Sequence, residues 1–293
     1  MLHQARRCGG PICVGLDPVY EKLPRVLTAD HDQPADAEQR LDAIRRFGEG
    51  VLEAVAGEAA CVKLQLACFE RYGAGGLAVY EHLLHRARAL DLLVIADAKR
   101  GDIAASSTHY AAGLLSGDGA DALTVNPYVG IDGLAPFMDV AGEQGKGLFA
   151  LARMSNPGAE AVQGLTLDDG RSVSEAVTDL LQQAMQTRND DRSETGYSFL
   201  GMVVGATKPT VMRSLRQRWP NALWLVPGIG AQGGDAEALA ACLNADGTGA
   251  LVAASRSIIY AFDDADDNWQ AAITEATRAL RRQVAAVTGD RTP

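Results

Sequence analysis

Three ionisable residues on one short stretch, Asp97, Lys99 and Asp102, form a D-x-K-x-x-D string at the end of an apolar run. Side chains alternate along an extended strand, so Asp97 and Lys99 are expected on one face while Ala98 points away. Two carboxylates near one ammonium keep it charged, since a single opposite charge at ~4 Å and an effective dielectric of about 20 is worth about 4 kcal/mol. A lysine held in that state is a proton donor and not a Schiff-base nucleophile. On an exposed loop the same string would be a solvated charge cluster, so its meaning depends on its surroundings.

A second candidate is the run Pro227-Gly228-Ile229-Gly230-Ala231-Gln232-Gly233-Gly234-Asp235, which follows another apolar run and opens a helical pattern. Glycines there let backbone N–H groups approach a phosphate, although a glycine-rich turn also serves plain loop closure. Gln232 in that run and Arg256 further on are candidate phosphate ligands. Other chemistry-bearing groups fit less well. His82 and His85 beside Glu81 fall in a helical segment whose apolar stripe reads Leu77, Leu84 and Leu90, which puts them on its outer face. His109 follows Asp102 but has no nucleophile paired with it. The run Asp263, Asp264, Asp266, Asp267 lacks the spacing of a calcium loop and reads as a solvated helix start.

These groups need elements to hold them. Strands are expected at Ile12–Leu16, Cys61–Leu66, Leu92–Ala96, Ala122–Val125, Gly147–Leu151, Phe199–Val204, Ala222–Val226 and Ala250–Ala253. Helices are expected near 38–56, 74–90, 104–115, 131–142, 172–187, 208–218, 234–245 and 268–287, with Asp235, Pro209 and the run 266–268 as starting signals. Eight β-then-α units admit a closed (β/α)8 barrel or a doubly wound open sheet, and the unit count favours the α/β class as a single TIM barrel over residues 1–293. Functional groups in such a barrel sit at the C-terminal strand ends, with phosphate sites after strands seven and eight. Polar residues collect at all eight ends here, including Asp17, Lys63 with Gln65, Asn126, Ser155 and Lys208. The stretch Ser155 to Arg171 is long for a strand-to-helix connection and reads either as a mobile loop over a site or as a surface excursion.

A chain of 293 residues can bury a real core without disulfide or metal staples. With 37 acidic and 27 basic side chains its net charge is −10, which argues against nucleic acid or an anionic membrane as the main partner. The five cysteines have no C-x-x-C spacing, and neither a secretory signal nor an 18-residue apolar run is present, so a cytoplasmic location is expected.

In order, Cys13-Val14-Gly15-Leu16-Asp17-Pro18, Asp97-Ala98-Lys99-Arg100-Gly101-Asp102-Ile103, Thr124-Val125-Asn126-Pro127-Tyr128, Val203-Val204-Gly205-Ala206-Thr207, the 227–235 loop and Ser255-Arg256-Ser257-Ile258 closely resemble the orotidine 5'-phosphate decarboxylases, particularly the longer bacterial-type chains. The likeness covers nearly the whole chain, and D-x-K-R-G-D-I together with P-G-I-G-A-Q-G-G-D is specific to that family. It implies cofactor-free, metal-free conversion of orotidine 5'-monophosphate to uridine 5'-monophosphate. It also implies a homodimer in which Asp102 works in the neighbouring site. By matching positions, Lys99 would stabilise and protonate a carbon-6 carbanion, while Asp97 and the partner's Asp102 hold its ammonium and crowd the departing carboxylate. Asp17 and Lys63 would touch ribose hydroxyls, Ser155 the pyrimidine edge, and Gln232 and Arg256 the phosphate, with Ile103 and Pro227 walling the base. A hydroxyl often follows the last aspartate by four residues; Ser106 matches, and Ser107 and Thr108 leave its partner ambiguous. The chain starts ten residues before Pro11, so an N-terminal helix of longer relatives is expected to be shortened.

Two other readings compete. Metal-dependent sugar-phosphate lyases of the same barrel superfamily share D-x-K-x-x-D but need an acidic metal ligand after strand two, where this chain has Lys63 and Gln65. A silent phosphate-binding module would be expected to lose Lys99 or Asp97 first, and both are present.

Overall fold

The computed structural model describes residues 1–28, 35–188, 196–229, 236–263 and 267–288. Parallel strands covered on both faces read as unbroken apolar runs, and eight such runs become β1 (Ile12–Leu16), β2 (Cys61–Gln65), β3 (Leu93–Arg100), β4 (Ala122–Val125), β5 (Gly147–Arg153), β6 (Ser198–Val204), β7 (Ala222–Pro227) and β8 (Ala250–Ala254). Every residue of β1, β4 and β8 is buried. The strands close into one barrel in the order β1 to β8, which excludes the open doubly wound sheet. The helices that follow them are α1 (Ala37–Val55), α2 (Gly73–Ala89), α3 (Ala104–Leu115), α4 (Ile131–Gln144), α5 (Val173–Thr187), α6 (Pro209–Arg218), α7 (Ala236–Cys242) and α8 (Trp269–Thr288).

Local chemistry explains the helix starts. Asp36 accepts from Gln39 N at 2.9 Å while the Gln39 side chain accepts from Asp36 N, a reciprocal cap on α1. Ser172 and Glu175 do the same for α5, and Pro209 opens α6 as its spacing predicted. Asp235 and Asp266, read as starting signals, lie outside the described residues.

The chain forms two compact units. One comprises Met1–Ala98 with Ala254–Val284, the other Lys99–Ala253 with the chain from Ala285 onward. In the first, Phe47 of α1 stacks against Tyr260 and Trp269, with ring centroids 6.0 and 5.3 Å away. In the second, Phe137 and Trp224 are fully buried. Three expectations change. β3 starts at Leu93 and continues beyond Ala96 to Arg100, so it carries the Asp97–Arg100 stretch within it. The buried stripe of α2 is Gly76, Val79, Tyr80, Leu83, Leu84 and Ala87, whereas Leu77 is exposed, although His82 does lie outside, bonded to Glu49 at 2.6 Å. Short helices at Leu66–Glu70 and Arg256–Ile259 appear where none was expected, because four or five residues are too few to display a helical period, and a short N-terminal helix spans Leu2–Arg7.

The second unit also buries an arginine. The Arg216 guanidinium donates to the carbonyls of Ala222 (2.6 Å), Cys242 (2.7 Å), Gly249 (2.7 Å) and Pro220 (3.3 Å), and lies 3.9 Å over the Trp224 ring. Burial pulls its pKa down to about 10, which leaves it charged at neutral pH. One cation thereby ties α6 to the starts of β7 and β8. Arg216→Met is expected to lower unfolding free energy by about 3 kcal/mol, since it strands several buried carbonyls. Urea unfolding of both proteins measures this, and a loss below about 1 kcal/mol would mean that water replaces the guanidinium.

Among the described residues no helix is long and apolar enough to cross a membrane.

Candidate active site

The first unit gathers a buried charged cluster at the ends of three neighbouring strands. Register pairs Gly15 of β1 with Lys63 of β2, and Gln65 of β2 with Asp97 of β3. Lys63 Nζ donates to Asp97 Oδ2 at 2.7 Å and lies 3.6 Å from Asp17 Oδ1. Gln65 Nε2 donates to the same Asp97 oxygen at 3.0 Å. Lys63 is only 8% and Asp97 5% exposed. Burial by itself would depress the Lys63 pKa, but the charges of Asp17 and Asp97 and the bond to Asp97 outweigh it and raise it above its ordinary 10.5. The raised value means that this ion pair's contribution to stability is complete below pH 10.5 and lost only as pH climbs through the folded-state value.

Lys63 thus lies against two carboxylates, Asp17 and Asp97, in addition to the Lys99 grouping with Asp97 and Asp102 that spacing predicts. Lys99 itself lies near the end of β3 with φ of +49°, a left-handed conformation that costs a side-chain-bearing residue roughly 1–2 kcal/mol. The extended conformation of β3 is thus interrupted at Lys99. In the second unit, its backbone N–H donates to Thr124 Oγ1 on β4 at 2.9 Å, which holds the unusual turn in place. Backbone strain of this sort clusters at functional sites.

Next along the chain, Gly101 has no side chain because a Cβ there would lie 2.7 Å from the Asn126 carbonyl. Asp102 Oδ1 accepts from Ile103 N at 2.8 Å. Of the three hydroxyls that follow, Ser107 donates to the Asp102 carbonyl at 2.5 Å and is buried, whereas Ser106 is exposed. Helical phase turns Ser107 inward, so the matching residue by spacing is not the one bonded to Asp102. Ile103 is 60% exposed and Tyr128, on the turn after β4, 88%.

Ser155 lies exposed two residues beyond β5, and a Cβ on Gly205 would come within 2.8 Å of its backbone nitrogen, so glycine after β6 lets these strand ends approach. The connection after Ser155 is anchored at its base: Glu160 accepts from Arg153 and from Lys208 (2.6 Å), and Gln163 accepts from Met154 N at 2.8 Å. Arg153 was visible only as a polar strand end, and nothing in sequence linked it to Glu160. Pro227 closes β7, and Arg256 is the exposed first residue of the short helix after β8. Gln232 lies outside the described residues, as do residues 230–235 of the glycine run and Asp264 and Asp266 of the acidic run. Among the described residues no group of three or more His, Cys, Asp or Glu is placed to hold a metal ion.

Residues 10–270 match the family model described as orotidine 5'-phosphate decarboxylase / HUMPS family. The chain belongs to this family. A relative from Rhodopirellula baltica named orotidine 5'-phosphate decarboxylase is 38% identical over 296 aligned positions, covering 95% of each chain. Another of that name from Deinococcus radiodurans is 41% identical over 85% of this chain and 84% of its own. The solved structure of Leishmania donovani OMP decarboxylase superimposes with a TM-score of 0.76 at 30% identity, covering 98% of this chain and 96% of that one. Family membership gives the strand-end cluster its setting, because Lys63, Asp97 and Lys99 all fall within the matched span.

Proposed function

We propose that this protein decarboxylates orotidine 5'-monophosphate to uridine 5'-monophosphate, the step that completes a pyrimidine nucleotide, without metal or cofactor. The observation that carries this reading within the family is the end of β2. Where the metal-dependent members need an acidic ligand, Lys63 and Gln65 stand, and both donate to Asp97. A carboxylate engaged by two donors at the same oxygen is a fixed negative charge and a poor metal ligand at that atom.

In the proposed reaction the bond from carbon 6 to the carboxylate breaks, carbon dioxide leaves, and the electron pair stays on carbon 6. The Lys99 ammonium stabilises that pair and then transfers a proton to it, recovering its own proton from solvent. Asp97, held by Lys63, presents negative charge toward the substrate carboxylate; the partner's Asp102 adds a second. Asp17 and Lys63 take ribose hydroxyls, Ser155 the pyrimidine edge, Gln232 and Arg256 the phosphate, and Ile103 and Pro227 flank the base. Ser106, exposed beside Asp102, keeps its assignment to the substrate side. The homodimer is supported by exposed Ile103, Tyr110 and Tyr128, which leave apolar surface on the elements around Asp102. The unbroken strand order supports reading residues 1–293 as one barrel domain, and five free thiols suit a reducing cytoplasm.

The test is direct. Purified protein in excess EDTA is expected to consume orotidine 5'-monophosphate, followed by its absorbance, at the rate seen without chelator and with added magnesium. A strict magnesium requirement would move the reading to the sugar-phosphate members.

A further inference from the structure

The chain leaves β1 through Asp17-Pro18-Val19, and Pro18 brings no N–H with which this segment could tie itself down. The missing bond comes from residue 260. The Tyr260 hydroxyl donates to the Asp17 carbonyl at 3.0 Å and accepts from Val19 N at 2.9 Å, bridging the proline on both sides. Its ring is clamped in turn: it stacks on Phe47 at 6.0 Å with planes 10° apart, meets Phe262 edge-on at 6.3 Å, and carries Lys22 Nζ 5.8 Å over its face. A few residues earlier, Ser255 Oγ donates to the Gly15 carbonyl at 3.0 Å, so the end of β1 is pinned twice by the segment after β8. Burial pushes the Tyr260 phenol up to about 12, which keeps its proton available to donate.

Asp17 needs such support. Its Oδ1 is buried with no hydrogen-bond partner, and its closest cation, Lys63 Nζ at 3.6 Å, is engaged more tightly by Asp97. With little holding the carboxylate directly, its aim follows from the backbone that carries it. We infer that Tyr260 is a positioning residue: through the Asp17-Pro18-Val19 segment it aims the Asp17 carboxylate, and it thereby sets how strictly the site demands a ribose hydroxyl. The inference rests on the proposed reaction, in which Asp17 meets the sugar.

Tyr260→Phe removes the hydroxyl and keeps the stacked ring. For the variant, KM for orotidine 5'-monophosphate is expected to rise about tenfold with kcat within about twofold, the effect of loosening one hydrogen bond to substrate. The readout that a merely structural role would not move is selectivity. Wild-type enzyme is compared with the variant on the substrate and on its 2'-deoxy and 3'-deoxy analogues, and the kcat/KM ratio against the analogue that wild type rejects more strongly is expected to fall by the same factor of about ten. An unchanged ratio would overturn the inference even if KM rose. Asp17→Asn alone and combined with Tyr260→Phe gives a second measurement: the two losses should be far from multiplicative, and full multiplication would mean that Tyr260 acts elsewhere. Failure of wild type to consume the ribonucleotide would instead count against the reaction itself.

Discussion

Lys99→Ala is expected to lower turnover of orotidine 5'-monophosphate by roughly a thousandfold or more, while uridine 5'-monophosphate still binds. The groups assigned to ribose and phosphate lie on other elements, Asp17 after β1, Lys63 on β2 and Arg256 on the short helix after β8. Lys63 cannot substitute as donor, because it is buried against Asp97 and Asp17 and its proton is held more tightly than usual. The backbone offers an internal control. Residue 99 has φ of +49°, which alanine tolerates no better than lysine and glycine adopts freely. Lys99→Gly should therefore be more stable than Lys99→Ala by about 1 kcal/mol and equally inactive. Single-turnover assays, product titration and thermal unfolding measure the three quantities. Near wild-type turnover in either variant would remove Lys99 from the chemistry.

Two inactive parents are expected to yield an active mixture. If Asp102 serves the neighbouring site, Lys99→Ala chains mixed with Asp102→Ala chains form heterodimers with one doubly damaged site and one in which intact Lys99 meets intact Asp102. Random exchange places half of the dimers in the mixed form with one good site of two, so recovered activity should be about one quarter of wild type per chain. Ser107 and Gly101 explain why Asp102 is suited to an outward role: one is bonded to its carbonyl, the other allows the chain to run close to Asn126, and beside them Ile103 stands 60% exposed. Mass spectrometry of tagged chains verifies exchange. An inactive mixture after proven exchange would place Asp102 in its own chain's site or outside the reaction.

Much of the barrel was legible because its signals are local. The expected limits of β1 and β4 coincide with the observed ones, since an apolar run bounded by polar or turn residues has only one way to be a buried strand. Helices α3 and α5 were readable for the same reason, their periods showing within a dozen or so residues. Residue type and spacing likewise marked Asp97, Lys99 and Asp102 before any fold was known. Missed features were of two sorts. Short helices after β2 and β8 carry too few residues for a period, and α2 hides its buried face because alanine and glycine, which fit against neighbours, register weakly as apolar.

What sequence alone determined was the order of strands and helices and the roster of charged groups at strand ends. Which of those groups meet was decided by tertiary structure. Lys63 and Asp97 stand 34 positions apart and meet because β2 pairs with β3, whereas Tyr260 and Asp17 are separated by 243 and meet because the closed barrel brings the segment after β8 to the end of β1. The bond from Lys63 to Asp97 runs between adjacent strands, since in-register parallel strands lie about 4.8 Å apart and a long lysine side chain spans that gap with ease. The left-handed turn at Lys99 is likewise invisible in residue type, because lysine does not favour it. It persists through the Thr124 hydroxyl on the next strand, a contact that exists only once the barrel has formed.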